Sequence, residues 1–396
     1  SSIAAVRPRR YKSTMCACPS KPPKLPLVDL AAQRRRLAGR IEAAIAGVLA
    51  HGQFVLGPEV GALEQALADH VGVGHAIACA NGTDALLLAL KAWGIGPGDA
   101  VLVPAFTFAA PAEAVALAGA TPVLVDVDGG FTLDPESLGE AIAMVRRETR
   151  LKARAVIPVD LFGQPARYED LLPIARMHDL LVLQDAAQSF GARWRGQPVG
   201  RQGDAAATSF YPAKPLGAYG DGGAVLTDDD ALALRVRSLA RHGVDERSGE
   251  HVRIGLNSRL DTLQAAILLA KLPALDQERA ARAAIAARYA EALAERVRVP
   301  HARHDVDPAW SYYTVRVEQR DALALGLAAR GIASAVHYRT PLHRLPAYAG
   351  FPRTGLPVAD ALAREVISLP MHADLGRSDQ ARVIDAISRA VAKKGA

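Results

Sequence analysis

The stretch Asp204–Gly223, DAAATSFYPAKPLGAYGDGG, places one lysine, Lys214, between two prolines in a run that is mostly small, apolar or glycine. Such surroundings desolvate an amine, and desolvation lowers its pKa. A neutral amine attacks carbonyl carbons and can form a Schiff base. The stretch therefore indicates a Schiff-base lysine, although these residues alone are also compatible with a solvated lysine on a loop.

The chain around this stretch alternates between short apolar runs and amphipathic segments. Amphipathic segments predict helices at about 83–93, 109–118, 134–146 and 167–178. The apolar runs predict strands at His75–Cys79, Ala100–Pro104, Thr121–Asp126, Ala153–Pro158, Leu181–Gln184, Ala206–Tyr211 and Gly223–Leu226. Repeated strand–helix–strand units with strands apolar on both faces are typical of a parallel sheet covered by helices. The sequence thus predicts an α/β fold with a mostly parallel sheet.

Composition shifts along the chain predict four regions. A disordered basic arm (1–26) precedes a large α/β domain (27–260), a connecting helical region (261–295) and a small C-terminal α+β domain (296–396). In the large domain, helices are expected from Leu27 to about Ala50 and from about Glu59 to His70. The connecting region should break near Pro273. In the small domain we expect strands near Tyr312–Val317 and Ala333–Tyr338, and helices near 321–330 and from about Asp379.

Composition also limits the possible partners. The net charge is +6, but six of the 47 basic residues lie within residues 1–24, which contain no acid. The remaining 41 basic residues balance the 41 acidic ones, which argues against nucleic-acid binding by the fold. No apolar run reaches the roughly 18 residues that a membrane helix needs. Three cysteines imply no disulfide framework, so we expect a cytoplasmic protein without a nucleic-acid or membrane partner.

Three groups of residues that could bind a ligand or take part in chemistry follow predicted strands. Asn81–Asp84 (NGTD) could cradle a phosphate at a helix N-terminus, or could simply cap that helix. Asp185 ends an apolar strand, where a carboxylate is costly unless a cation such as a protonated ring nitrogen pairs with it; a local capping role is the alternative. Phe108 could stack on a planar cofactor or lie in the core.

Together with Lys214 these groups match the four requirements of one cofactor. Pyridoxal phosphate (PLP) needs a phosphate cradle, a stacking aromatic, an acid at the ring nitrogen and a Schiff-base lysine. All four are present in one chain, each at or near the end of a predicted strand. The sequence therefore predicts a PLP enzyme.

The chain also resembles the DegT-type sugar aminotransferases, which are fold-type-I PLP enzymes that aminate keto sugars on nucleotides. The resemblance covers nearly all of residues 27–396. Its motifs are NGTDAL (Asn81–Leu86), PAFTF (Pro104–Phe108), DAAQSFG (Asp185–Gly191), TSFYPAKPLGAYGDGG (Thr208–Gly223), GLNSRLDTLQ (Gly255–Gln264) and AVHY (Ala335–Tyr338).

This resemblance implies a role for each matching residue toward the cofactor. Lys214 would be the Schiff-base lysine, Asp185 would pair with the ring nitrogen, and Gln188 would bind the ring hydroxyl. Phe108 would stack on the ring. The phosphate would be held by Gly82, Thr83 and Ser209.

Further residues would complete the site from the substrate side and from a second subunit. Asn257 would reach the phosphate of the neighbouring subunit, so that the homodimer shares its active sites. Arg259, also contributed across the interface, would face the sugar nucleotide together with His337 and Tyr338. The resemblance implies transamination in two stages, with L-glutamate as amino donor and 2-oxoglutarate as product.

Within the family, the chain resembles the subgroup that acts on UDP-2-acetamido-2-deoxy-3-keto-glucuronate and makes 3-amino sugars for bacterial surface polysaccharides. Arg259 would then bind the uronate carboxylate. The alternative is a family member acting on a 4-keto-6-deoxy nucleotide sugar. Three departures from the family pattern, expected near the substrate, bear on this choice: Ala110-Pro111, Asp160 and Arg339-Thr340. A sugar dehydratase, which has histidine in place of the lysine, is disfavoured by Lys214.

Overall fold

The computed structural model describes residues 24–391, in which helices surround one large sheet. The α-helices are α1 (Leu30–His51), α2 (Pro58–Val71), α3 (Gly82–Ala92), α4 (Ala110–Leu117), α5 (Pro135–Glu148), α6 (Tyr168–Met177), α7 (Asp230–Ala240), α8 (Thr262–Lys271), α9 (Leu275–Leu293), α10 (Arg320–Ala329), α11 (Pro357–Glu365) and α12 (Arg377–Ala390). The strands are β1 (His75–Cys79), β2 (Asp99–Pro104), β3 (Thr121–Val125), β4 (Lys152–Val156), β5 (Leu181–Asp185), β6 (Arg193–Trp194), β7 (Gln197–Pro198), β8 (Ala205–Ser209), β9 (Gly223–Thr227), β10 (Val306–Asp307), β11 (Tyr313–Arg316) and β12 (Val366–Leu369).

The central sheet has seven strands in the order β1-β9-β8-β5-β4-β2-β3. Neighbouring strands from β8 to β3 are parallel, and only β9 runs antiparallel to its two neighbours. The predicted α/β architecture with a mostly parallel sheet is confirmed. Because the parallel strands end at the same edge, the residues that follow them are brought together there.

Both faces of this sheet are buried, as the apolar strands predicted. Along β2, Val101 and Val103 pack with α3 and α4, whereas Ala100 and Leu102 pack with α5 and α6 on the opposite face. Successive side chains of a strand point to opposite faces, so a strand covered on both sides must be apolar throughout.

The C-terminal part has its own apolar core. The antiparallel pair β11–β12 packs with α9, α10 and α12 around Tyr289, Tyr313 and Val383. Leu25 belongs to the same core and pairs with the chain beside Ile332. Most of the predicted arm (1–26) lies outside the described residues, but residue 25 was wrongly included in it, because burial of its side chain holds it against the small core.

The segment Ala333–Tyr338 is not the strand we predicted. It forms one isolated bridge, between Ala335 and Ser368, on the edge of β12 opposite β11, and the side chains of His337 and Tyr338 that follow lie beside Lys214 and Gln188. The sequence analysis also missed α7, α11 and β12. The predicted break near Pro273 is confirmed by a 3₁₀ turn, Leu272–Ala274, between α8 and α9.

A buried carboxylate fastens the segment after Tyr338 to the large sheet. Asp126, directly after β3, accepts hydrogen bonds from Val358 N (2.9 Å) and Ala359 N (2.8 Å) in the first turn of α11. The Leu342 amide also donates to the Ala105 carbonyl at 2.9 Å. These bonds fix the chain on the C-terminal side of His337 and Tyr338 against the edge where the parallel strands end.

Candidate active site

Lys214 and Asp185 lie close enough for their charges to interact, at the edge where β5 and β8 end. Asp185 is the last residue of β5, and its buried carboxylate accepts one hydrogen bond, from Ala187 N at 3.0 Å. Lys214 is partly buried in the loop after β8, where its amide donates to the Tyr211 carbonyl at 2.8 Å. The local capping role considered for Asp185 is thus present, but it leaves the outer carboxylate oxygen available to a cation.

Burial shifts the pKa of both groups, and for Lys214 the shift is in the direction that Schiff-base chemistry needs. Desolvation lowers the pKa of Lys214, and the nearby Asp185 carboxylate opposes that shift. Desolvation likewise raises the pKa of Asp185, and Lys214 opposes it. A buried amine that is more easily deprotonated is a better nucleophile and base.

The N-terminus of α3 forms a cradle that admits no extra atom. Asn81 caps the helix through Oδ1, which accepts from Asp84 N at 2.8 Å, so the amides of Gly82 and Thr83 have no carbonyl partner within the helix. A Cβ at Gly82 would lie 2.6 Å from Ser209 Cβ. The capping interpretation is therefore realised. The Gly82 and Thr83 amides lie near the Ser209 hydroxyl in an arrangement that suits an anion, and the phosphate cradle stays a prediction.

Tyr338 lies near both Gln188 and Phe108, the two side chains expected to face the cofactor ring. Gln188 Nε2 lies 3.5 Å from Tyr338 Oη, while Gln188 Oε1 accepts from Phe162 N at 2.8 Å. The Phe108 ring, 56% exposed, lies 6.3 Å from the Tyr338 ring. Phe108 therefore presents a free aromatic face, and the fixed Gln188 amide keeps donor capacity for a ligand hydroxyl.

His337 stands beside Lys214. Its Nδ1 lies 3.1 Å from Ser368 Oγ, and burial together with the Lys214 charge lowers its pKa. Its ring lies 4.4 Å from the ring of Tyr312, a residue that sequence analysis missed. Tyr312 precedes a strand and belongs to no motif, so no local signal could have identified it.

Asn257 and Arg259 flank a residue that is anchored near the cradle. Between them, the buried Ser258 donates through Oγ to Asp84 Oδ2 at 2.6 Å and accepts from Ala80 N at 3.1 Å. Asn257 is exposed and Arg259 partly exposed. Within residues 24–391 the Arg259 guanidinium has no hydrogen bond or ion pair.

Two of the three departures are buried, so they do not line the site as expected, whereas the expected place of Arg339-Thr340 beside the substrate stays a prediction. Asp160 is fully buried, and its carboxylate accepts from Tyr168 Oη, Ser189 Oγ and Gln184 Nε2; burial raises its pKa to about 6. Ala110 and Pro111 are buried in the first turn of α4, and Arg339 is exposed and bound to Asp321. Buried Asp160 and Ala110-Pro111 thus support the site from behind rather than line it.

These residues fit PLP. The cradle at Gly82 suits a phosphate, the buried Asp185 carboxylate suits a protonated ring nitrogen, and Lys214 lies near Asp185 in the loop that follows Ser209 of the cradle. Residues 36–388 match the family of DegT/DnrJ/EryC1/StrS aminotransferases. The chain belongs to this family.

Related proteins extend the match to almost the whole aminotransferase. UDP-2-acetamido-2-deoxy-3-oxo-D-glucuronate aminotransferase of Pseudomonas aeruginosa is 47% identical over 87% of this chain and 94% of its own. The dTDP-3-amino-3,4,6-trideoxy-alpha-D-glucose transaminase of Streptomyces venezuelae is 44% identical over 92% of this chain and 96% of its own.

Solved structures of sugar aminotransferases share the fold of this chain. A DegT DnrJ EryC1 StrS aminotransferase from Brucella abortus superposes with a TM-score of 0.90 at 49% identity, covering 92% of this chain and 98% of its own. The PLP form of the sugar aminotransferase Spr1654 from Streptococcus pneumoniae gives a TM-score of 0.82 at 26% identity, covering 93% and 98%. The chain is a PLP-dependent aminotransferase of fold-type I, as predicted.

Among residues 24–391, no helix combines the length and apolar character needed to cross a membrane.

Proposed function

We propose that this enzyme transfers an amino group from L-glutamate to UDP-2-acetamido-2-deoxy-3-keto-D-glucuronate and gives the 3-amino sugar nucleotide for bacterial surface polysaccharides such as lipopolysaccharide. The observation that carries the proposal is the proximity of the Lys214 and Asp185 charges, in a chain 47% identical to the Pseudomonas aeruginosa enzyme named for that substrate. A cytoplasmic location, suggested by the cysteine content, stays a prediction.

Each role toward the cofactor can be assigned to a residue of this chain. When bound, PLP withdraws electrons from the substrate carbon that is attached to nitrogen. Asp185 would hold a proton on the ring nitrogen, Gln188 Nε2 would donate to the ring hydroxyl, and Phe108 would cover one face of the ring. Lys214 Nζ would take a proton from the substrate carbon and later give it up again. Gly82, Thr83 and Ser209 would hold the phosphate.

Arg259 is our candidate for the uronate carboxylate. Its guanidinium is unpaired within the described chain and can bind a carboxylate bidentately. His337 and Tyr338 would face the sugar, since both lie beside Lys214 or Asp185.

We propose that a second copy of the chain completes the site. Apolar side chains are exposed on both segments that flank Asn257 and Arg259: Phe54, Val55, Leu56, Val252 and Ile254, the last 90% exposed. Val55 bridges Asp261, so these segments are neighbours. An apolar patch beside uncommitted polar side chains is typical of a protein interface, and Asn257 would reach the partner's phosphate cradle.

The second candidate substrate is a 4-keto-6-deoxy nucleotide sugar. The 44% identity to the Streptomyces venezuelae enzyme, which is named for a trideoxy sugar nucleotide, supports a deoxy sugar as an alternative. Such a sugar has no carboxylate for Arg259 to bind.

Purified protein should be yellow, and L-glutamate should bleach the colour; a Lys214→Ala variant should neither bleach nor turn over.

Paired assays with the 3-keto-uronate and a 4-keto-6-deoxy substrate then test which sugar the enzyme accepts. Arg259→Met should cost the uronate about 10- to 100-fold in kcat/KM, the worth of one charge-assisted bond, and leave the deoxy sugar unchanged. Arg330→Met, on the outer end of α10, is the matched control. Preference for the deoxy sugar would overturn the uronate proposal.

A further inference from the structure

The chain just after Lys214 is bonded to one face of α8. Lys271, the last residue of α8, donates from Nζ to the Gly217 carbonyl at 2.7 Å. Gln264, seven residues earlier on the same helix, accepts at Oε1 from Tyr219 N at 2.8 Å. Residues separated by seven positions lie about two turns apart on the same face of a helix. Two side chains of that face therefore bind the chain within five residues of Lys214.

Lys271 is buried deeply for a lysine. It is 3% exposed, and its Nζ lies 4.1 Å from the centre of the Tyr219 ring, whose face attracts a cation. Burial lowers the pKa of Lys271 to about 8, and the nearby Glu278 carboxylate opposes that shift. The ammonium and the neutral amine both have N–H groups to donate, so the bond to the Gly217 carbonyl is available to either form.

Gly217 connects this bond to the turn that contains Lys214. A Cβ at Gly217 would lie 2.3 Å from the Pro212 carbonyl oxygen and 3.0 Å from that of Tyr211. The Tyr211 carbonyl also accepts from the Lys214 amide at 2.8 Å. Because the backbone of Gly217 packs directly on this turn, a shift of the Gly217 carbonyl displaces the backbone of Lys214.

The bond from Lys271 is the one that joins this turn to another element. Within residues 24–391, the other hydrogen bonds of residues 210–218 stay inside the stretch 209–222. Leu216 also packs in the apolar core, but hydrophobic contact has no preferred direction, whereas a hydrogen bond constrains the direction of a carbonyl. The orientation of the turn therefore depends on Lys271.

We propose that Lys271 is a positioning residue, which by binding the Gly217 carbonyl fixes the turn from which Lys214 reaches the PLP aldehyde. The inference rests on the proposed role of Lys214 as the Schiff-base lysine. In that reaction the Lys214 nitrogen forms a C=N bond with the aldehyde carbon, and the aldehyde oxygen leaves as water with the two amine protons. A misplacement of about 1 Å can slow such a step by about 10²-fold.

The first test measures the pKa of the Lys214 amine in the apo-protein. The pH dependence of its acetylation by acetic anhydride, read by peptide mass spectrometry, gives this pKa without any cofactor. Lys271→Met keeps a flexible apolar side chain but loses the donor. The released turn should expose Lys214 to water, so its pKa should rise toward the ordinary value of lysine. An unchanged Lys214 pKa overturns the inference.

The second test separates the binding of PLP from its covalent attachment. Stopped-flow absorbance of apo-protein mixed with PLP gives a maximal attachment rate and a half-saturating PLP concentration. We expect Lys271→Met to lower the maximal rate about 10- to 100-fold. The half-saturating concentration should stay within about threefold, because the proposed phosphate cradle at α3 is unchanged. An unchanged rate, or an equal change in both quantities, overturns the inference.

Arg320→Met is the matched control. Arg320 is also a buried cation that donates to backbone carbonyls, those of Ala363 at 3.0 Å and Val366 at 3.3 Å. Its loss should destabilise the apo-protein in urea but leave the attachment rate unchanged. A rate that falls as far in this control as in Lys271→Met overturns the inference, because the fall would then reflect a general loss of stability.

Should Lys271→Met fail to fold, Gln264→Met replaces it, since Gln264 binds the same stretch from the same helix face. A smaller fall in the attachment rate and a rise in the Lys214 pKa are then expected, and the absence of either overturns the inference. Borohydride reduction of the PLP-loaded parent, followed by peptide mapping, tests the role of Lys214 itself. PLP fixed on another lysine overturns that role and the inference together, whereas a failure confined to the variants overturns only the role of Lys271.

Discussion

Gly82→Ala tests whether the α3 cradle is as tight as the structure shows. The added Cβ would lie 2.6 Å from Ser209 Cβ, 3.2 Å from its Oγ and 3.3 Å from its Cα. Carbon atoms in contact prefer about 3.5–4.0 Å, so Ser209 must move by about 1 Å. Because Ser209 pairs with Gly223 at the end of β8, the shift strains the strand end as well as the side chain.

The substitution should have a small effect on the stability of the apo-protein and a larger effect on the affinity for PLP. Overpacking costs about 1–3 kcal/mol, and replacing glycine in a helix returns about 1 kcal/mol, so the apo-protein should lose only about 0–2 kcal/mol. Displacing the Ser209 hydroxyl removes one hydrogen bond to a charged phosphate, worth about 1.5–3 kcal/mol. PLP affinity should therefore fall about 10- to 100-fold.

The assay is a PLP titration of apo-protein followed by absorbance, together with urea unfolding of the apo-protein. Gly139→Ala on α5 is the control, because a Cβ there meets nothing within 4 Å and should stabilise the fold by about 0.5–1 kcal/mol. PLP affinity within twofold of the parent in Gly82→Ala would refute the cradle.

Three further changes test the frame around the site. Asp126→Ala leaves two amides at the start of α11 unpaired and should cost about 2–4 kcal/mol in urea unfolding; a loss below about 0.5 kcal/mol contradicts the fastening role. Lys271 is buried, donates to the Gly217 carbonyl at 2.7 Å and has its pKa lowered by burial from 10.5 to about 8. Since the unfolded chain binds more protons between pH 8 and 10.5, stability should rise with pH there by about 3 kcal/mol, and Lys271→Met should abolish that slope in unfolding measured across pH. Gly223→Ala would bring a Cβ within 2.4 Å of the Asn81 carbonyl oxygen, which is backbone and cannot rotate away, so the melting temperature should fall far more than in Gly82→Ala.

Many helices and strands around the large sheet were predictable because each has a local signal in the sequence. The strands of the large sheet are apolar on both faces, and several helices begin after a capping residue such as Asn81. Hydrophobic periodicity and these caps therefore predicted the bounds of the strands and helices to within a few residues. The C-terminal part of the chain was harder to predict. Ala333–Tyr338 has a strand-like pattern but forms one isolated bridge, to β12, and tertiary contacts of His337 and Tyr338 override the local preference.

The sequence by itself determined the kind of chemistry. A desolvated lysine, an acid at a strand end and a glycine at a helix start are properties of residue type and position along the chain, and they predicted PLP before any contact was known. Only the tertiary structure decided which side chains face the site. Tyr312 contacts His337 in the C-terminal part of the chain, and Asp160 turns inward to four donors. These contacts join residues distant in sequence, and they depend on how the strands, helices and loops pack together rather than on any local pattern.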